Sequence, residues 1–178
     1  GVTRKIGGIS IVDKFGKTAR LRKGRAAVNR VHRAMARMRA NPSEYSTCTP
    51  IFVNSIPKSG THLLMQLAGA LTDTVNNGTF IAQYPSLTLR SRSQEEINAK
   101  ISAVAPGEVV GAHLHFSTAT FEALQKKNAL HLFIWRDPRD VILSEAHYLA
   151  EMARFHAMHG VFKKLTNAED RVRLALTG

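Results

Sequence analysis

Pro57-Lys58-Ser59-Gly60-Thr61 is the stretch of this chain whose residue types and spacing suit chemistry. It follows a short apolar run, Ile51, Phe52 and Val53. After it, apolar residues at Leu64, Leu67, Ala68 and Leu71 recur with the i, i+3, i+4, i+7 spacing of a helix face. The order is strand, turn, helix. Such a turn aims several backbone N–H groups and the positive end of the helix dipole at one spot, which suits a phosphate or sulfate group. Lys58 adds a mobile cation, Gly60 lets the backbone approach without a Cβ, and Thr61 supplies a hydroxyl at the helix start. A Walker A loop needs a glycine upstream and its lysine directly before Ser/Thr. Here the lysine precedes Ser-Gly-Thr, so a nucleoside triphosphate is not the first expectation. An ordinary strand-to-helix turn with a solvated lysine is the other reading of these five residues alone.

The elements around the turn must place it. Residues 108–116, EVVGAHLHF, read as a second strand, with Val109 and Val110 buried and His113 near its carboxyl end. Residues 118–127 read as a short helix. Residues 129–135 read as a third strand, whose near-continuous hydrophobicity fits a parallel strand covered on both faces. The chain turns at Arg136-Asp137-Pro138-Arg139-Asp140, with Pro138 suited to a first helical turn. A long helix follows with Val141, Tyr148, Met152 and Phe155 on one stripe, and 166–177 reads as one more helix with Asn167 as its cap. Residues 72–107 are the least patterned. Asn76-Asn77-Gly78 signals a turn there, and Ser93 is placed to cap a helix running to Val104. Strands alternating with helices predict an α/β fold, a mainly parallel sheet with helices on both faces. Ligands in such folds collect outside the carboxyl ends of the strands. Lys58 to Thr61, His113 and Arg136 share that address.

The 178 residues are enough for one α/β domain with its own core, and 44% apolar with 21% charged residues reads as globular. Cys48 is the only cysteine, which excludes an internal disulfide, and nothing suggests a cysteine-type zinc site. No run approaches the ~20 apolar residues of a membrane span. The chain as given therefore reads as soluble, cytoplasmic or membrane-peripheral, although it begins at Gly and a removed leader or anchor would leave no trace.

The net charge of +12 is concentrated. Residues 1–48 carry twelve Lys and Arg against Asp13 and Glu44. The expected division is a basic arm over 1–48 and a nucleotide-binding core over 49–178. Within the arm, 1–17 shows little periodicity. In 18–40 a stripe of Leu21, Val28, Val31, Met35 and Met38 is surrounded by arginines, a basic amphipathic helix ending before Asn41-Pro42. Such a helix can lie on an anionic membrane, bind a polyanion, or pack its stripe on the domain. Nucleic acid is not expected, because no aromatic residues interleave with the basic ones.

Taken together, the three stretches resemble the sulfotransferases that use 3′-phosphoadenosine 5′-phosphosulfate. Their 5′-phosphosulfate loop is similar to Pro57 to Thr61. Their 3′-phosphate element, an arginine at a strand end and a serine eight positions on, resembles Arg136 and Ser144 in RDPRDVILS. Their Thr-His-Leu-Pro stretch, whose histidine acts as base, resembles Ala112-His113-Leu114-His115.

The resemblance implies the family's P-loop-like core and transfer of a sulfuryl group to a hydroxyl or amine acceptor, leaving adenosine 3′,5′-bisphosphate. It implies Lys58, Ser59, Gly60 and Thr61 on the 5′-phosphosulfate, with Lys58 also aiding the leaving oxygen. It further implies His62 in nucleotide contact, Arg136 and Ser144 on the 3′-phosphate, His113 as base, and no metal. Some branches use a carboxylate as base, which keeps Glu108 in view. His62-Leu63 replaces the family's frequent Thr-Trp, removing an aromatic face for adenine, and His115 replaces its proline. The family's later segment supplies adenine contacts and an Arg-Lys-Gly loop, so the core is expected to be incomplete at its C-terminal side. The acceptor, whether carbohydrate, lipid or small molecule, is not specified by these residues.

Rival readings are a P-loop-type nucleotide or adenylylsulfate kinase, which lacks its Walker A lysine here, and a non-enzymatic polyanion- or membrane-binding module resting on 18–40. His156 and His159 share a helical face in this reading and are expected to be solvated.

Overall fold

The computed structural model describes Val28, Val31, Ala34, Met35, Met38 and residues 41–177. The arm over 1–17, the start of the basic helix and its arginines lie outside the described residues. Val28, Val31, Ala34, Met35 and Met38 are helical, and all five are exposed rather than packed on the domain.

After a single turn, α1 (Glu44–Thr47), the chain runs β1 (Ile51–Ser55), α2 (Thr61–Ala68), β2 (Val75–Ala82), α3 (Gln94–Ser102), β3 (Glu108–His113), α4 (Thr118–Gln125), β4 (Leu130–Ile134) and α5 (Pro138–His147). A π-helical turn, Tyr148–Met152, then leads to α6 (His159–Lys164) and α7 (Ala168–Thr177). The four strands form one sheet in the order β2-β3-β1-β4, every pairing parallel. The α/β expectation of a parallel sheet with helices on both faces holds.

Alternation along the strands builds two core layers. Phe52, Ile81, Val110 and Ala112 face Ile97 and Ile101 of α3 and Leu124 of α4. Ile51, Val53 and Val109 face Met65 and Ala68 of α2 on the opposite side. Each fully buried side chain of this size, such as Phe52 or Ile101, stabilises the fold by about 1.5–3 kcal/mol. A third cluster, Ala146, Leu149, Ala150, Ala153 and Phe162, joins α5, the π-helical turn and α6. Because α2 and α4 pack on opposite faces, the connections leaving the adjacent strands β1 and β3 diverge. That divergence opens a crevice at their carboxyl ends.

Several expectations are corrected. The least patterned region holds β2, an edge strand in which Asn76-Asn77-Gly78 is part of the strand. Gly78 has φ 70° and the register shifts between Val75 and Thr79, so the bulge hid the period-two signal. Helix α2 stops at Ala68, and its buried face is Thr61, Met65 and Ala68, leaving Leu67 and Leu71 exposed. The strand expected over 108–116 ends at His113. Strand β4 is an edge strand with Leu130 and Phe133 about half exposed, not covered on both faces. The long helix breaks after Met152, which puts Phe155, 85% exposed, outside it. The Ser93 cap is present as a full capping box, with Ser93 accepting from Glu96 N and Glu96 accepting from Ser93 N.

Candidate active site

The turn between β1 and α2 departs from ordinary backbone at two residues. Lys58 has φ 65° and Gly60 φ 103°. At Gly60 a Cβ would both strain the backbone and touch Ile134 Cδ1 at 3.4 Å, so glycine is required. No side chain caps the start of α2, so its first N–H groups and dipole are presented at the crevice. Ser59 is buried, and its Oγ is the one buried side-chain polar atom without a partner among the described residues. Burying a hydroxyl in that state costs about 1–3 kcal/mol, which an oxyanion at the turn would recover.

Thr61 links the turn to β1. Its Oγ1 lies 2.5 Å from Ser55 Oγ, and Ser55 in turn meets His113, whose Nδ1 is 2.9 Å from Ser55 O and 3.2 Å from Ser55 Oγ. The contact with a carbonyl oxygen places the proton of the neutral ring on Nδ1 and leaves Nε2 as the acceptor. Burial pushes the pKa of His113 down from 6.5, the hydrogen bond to Ser55 opposes that, and His62 lowers it slightly further. The ring is therefore neutral near pH 7.

Asn54 fixes the strand end that carries this histidine. Its Nδ2 donates to Leu114 O at 3.0 Å, and its Oδ1 accepts from Leu114 N at 2.9 Å and from Ser55 N at 3.1 Å. On the other side of the imidazole, the Phe80 ring stands edge-on with centroids 4.9 Å apart. Phe80 can sit so close to β3 because residue 111 is glycine, where a Cβ would lie 2.6 Å from Phe80 Cδ2 and 2.5 Å from Met65 Sδ.

A cavity of about 1450 Å³ opens over these groups, and Lys58, Gly60, Thr61, His62, His113 and Ser144 are among the residues that line it. The structure thus brings most of the expected residues together. Ser59, buried behind the turn's backbone, is not among the lining residues, and neither is Arg136. It follows β4 at the same end of the sheet, half exposed, with its guanidinium on Asp140 at 3.0–3.1 Å. Asp137 caps α5 by accepting from Arg139 N and also pairs with the Arg139 guanidinium.

Two residues that sequence reasoning missed stand beside the lysine. Lys58 Nζ lies 4.0 Å from the centroid of the Tyr148 ring, and Glu145 lines the same cavity. Burial raises the pKa of Glu145 above 4.5, with the Lys58 charge pulling the other way. Their signal was available, since Glu145 and Tyr148 flank Ser144 by one and four positions on a helix expected at the site. The buried polar pair Asn54-Ser55, closing an apolar strand, was legible in the same way.

Glu108 is excluded as a base. It sits fully buried at the amino end of β3, away from the crevice, and accepts from Thr79 Oγ1 at 2.5 Å and Ala105 N at 3.0 Å. His156 and His159 do not share a helical face, because the helix has ended before His156. His156 Nδ1 accepts from Met158 N, and His159 Nδ1 lies 2.7 Å from Leu149 O. Among the described residues, no three His, Cys, Asp or Glu side chains converge as a metal site, and no helix is long and apolar enough to cross a membrane.

A family model described as a sulfotransferase domain matches residues 48–173, which covers the chain from just before β1 into α7. The chain belongs to the sulfotransferase-domain family. Comparison with curated proteins and with solved structures gives no match. As a sulfotransferase domain, the fold has the parallel P-loop-like core of that family, and the turn at Lys58 to Thr61 follows the first strand of its matched region.

Proposed function

We propose that this sulfotransferase domain moves a sulfuryl group from 3′-phosphoadenosine 5′-phosphosulfate to a hydroxyl acceptor. The observation that carries the proposal is the chain of contacts from the anion-binding turn through Thr61 and Ser55 to His113, which joins an oxyanion cradle and a neutral imidazole in one cavity. The fit to the donor rests on this chain's own features. They are the Ser59 hydroxyl, which has no partner among the described residues, the uncapped start of α2, and a glycine at φ 103° where any side chain would strain the turn.

When bound, the donor supplies a sulfuryl group whose bond to the phosphate oxygen breaks as the acceptor oxygen bonds to sulfur. Lys58 and the N–H groups of the turn hold the 5′ anion and stabilise charge on the leaving oxygen. Ser144, on the cavity wall, binds the nucleotide's second phosphate. Arg136 joins it by exchanging Asp140 for that phosphate, and the exposed Arg136–Asp140 pair is weak enough to yield. His113 Nε2 takes the acceptor's proton, while Nδ1 keeps the ring oriented through Ser55 O. His62 lies at the nucleotide's edge of the turn. The basic helix is a contact for an anionic surface, a reading supported by the exposure of Val28, Val31, Met35 and Met38.

Incubation with radiolabelled donor and a panel of hydroxyl compounds tests the reaction. Label should move to an acceptor with equimolar release of adenosine 3′,5′-bisphosphate. A chain that neither binds nor consumes the donor contradicts the proposal.

A further inference from the structure

The Lys58 ammonium is held by a ring rather than by a carboxylate. Its Nζ stands 4.0 Å from the centroid of the Tyr148 ring, inside the range of a cation–π contact, and both side chains are partly buried. Among the described residues no carboxylate lies within ion-pair distance of Lys58. Glu145 senses its charge only from farther away.

The backbone fixes the ring. Tyr148 follows α5 and opens the π-helical turn, where Ala153 N donates to Tyr148 O at 2.9 Å, five residues back. The next two residues, Leu149 and Ala150, are buried in one cluster with Phe162, and His159 Nδ1 lies 2.7 Å from Leu149 O. Tyr148 itself packs on that cluster. A tyrosine ring turns about two torsions, whereas lysine has a flexible four-carbon stem that loses much rotamer freedom when ordered. The rigid partner therefore decides where the mobile one rests.

A ring also suits a cation that must keep its charge for a ligand. A carboxylate at Nζ would neutralise the lysine and be left unpaired beside an incoming anion. An aromatic face attracts the ammonium through its quadrupole, carries no net charge and covers one side of it, which leaves N–H donors for an oxyanion. Lys58 and Tyr148 both line the cavity, so the held ammonium is presented where the anion turn opens.

We infer that Tyr148 is a positioning residue for the anion turn: its ring face holds Lys58 Nζ at the cavity before the donor arrives, so that the cradle is assembled in advance. The inference rests on the proposed binding of the donor at this turn and adds the group that orients its lysine.

Nuclear magnetic resonance reads the contact without any ligand. The ring current should shift the Lys58 ε-methylene protons upfield in the parent and in Tyr148→Phe, and that shift should vanish in Tyr148→Leu. Calorimetric titration with adenosine 3′,5′-bisphosphate reads the consequence. Tyr148→Leu should weaken binding about fivefold, Tyr148→Phe should stay within about twofold of the parent, and in a Lys58→Met background Tyr148→Leu should cost less than about twofold. The conservative variant and the double-variant comparison separate orientation of Lys58 from a general role in the fold. Three results would each overturn the inference: ε protons without an upfield shift in the parent, a loss in Tyr148→Phe equal to that in Tyr148→Leu, or an undiminished loss in the Lys58→Met background. A parent that fails to bind the bisphosphate counts against the donor assignment. The same variants are then ranked with inorganic sulfate, followed at the Ser59 and Thr61 amide resonances, and the same order supports the role of Tyr148 while its absence overturns it.

Discussion

Replacing Asn54 by alanine tests whether the base is held where the structure puts it. The side chain is buried and serves three backbone groups, Leu114 O, Leu114 N and Ser55 N, at 2.9–3.1 Å. Truncation leaves all three in a water-poor strand end. Taking about 1 kcal/mol each, the low end of the cost of an unpaired buried group, the loss is about 3 kcal/mol. For a domain of this size that corresponds to a melting temperature lower by about 6–12 °C. Leu114 follows His113 directly, so the same substitution frees the strand end that orients the imidazole. A misplacement on the ångström scale costs about 100-fold in rate. Thermal denaturation and single-turnover transfer with saturating donor read the two effects separately, and affinity for adenosine 3′,5′-bisphosphate should stay within about threefold because the Asn54 side chain bonds Leu114 and Ser55 and no group of the turn. A melting temperature within about 2 °C of the parent, or an unchanged transfer rate, would show that Asn54 does not hold the strand end.

His113→Gln should lower turnover by about 100- to 10,000-fold with little change in bisphosphate affinity; equal losses in both would mean a structural role. The parent's rate should fall on the acid side with a midpoint below 6.5, since burial disfavours the protonated ring. The linkage has the same sign: the unfolded chain takes the proton more readily, so the stability owed to His113 is complete above 6.5 and declines as pH drops through the folded value. Glu145→Gln works in the opposite direction. The folded carboxyl is raised above 4.5, so its stability is complete below that pH and is lost as pH rises through the folded value. Melts at pH 4.5 and pH 8 should therefore show the variant gaining on the parent at the higher pH, and a variant that gains nothing or loses ground between the two would contradict this.

The turn at Lys58 to Thr61 was legible because it needs a glycine, a cation and a hydroxyl at fixed spacing after an apolar strand, and local sequence carries all of these. His113 was legible by its place at a strand end. Strand β2 was not, because Asn76-Asn77-Gly78 spells a turn in isolation and is held as a strand only by pairing with β3. The exposure of β4 also escaped, since an apolar run reads the same at a sheet's centre and at its edge. The break after Met152 depends on how α5 and α6 pack around Leu149 and Phe162, which is a tertiary effect. The pairing of Arg136 with Asp140 is set by the first turn of α5 and required a rotamer choice that spacing does not encode.

The proposed function requires Lys58, the Ser59 hydroxyl and the start of α2 to form an anion cradle. Calorimetric titration with adenosine 3′,5′-bisphosphate tests it most directly, using the parent, Lys58→Ala and Ser59→Ala. Micromolar binding is expected, about −8 kcal/mol, weakened at least about tenfold by Lys58→Ala. Ser59→Ala should weaken binding by a further hydrogen bond's worth, about fivefold or more, while leaving the fold at least as stable as the parent, because the buried hydroxyl has no partner among the described residues. Equal affinity in all three proteins would mean that no such cradle binds the donor.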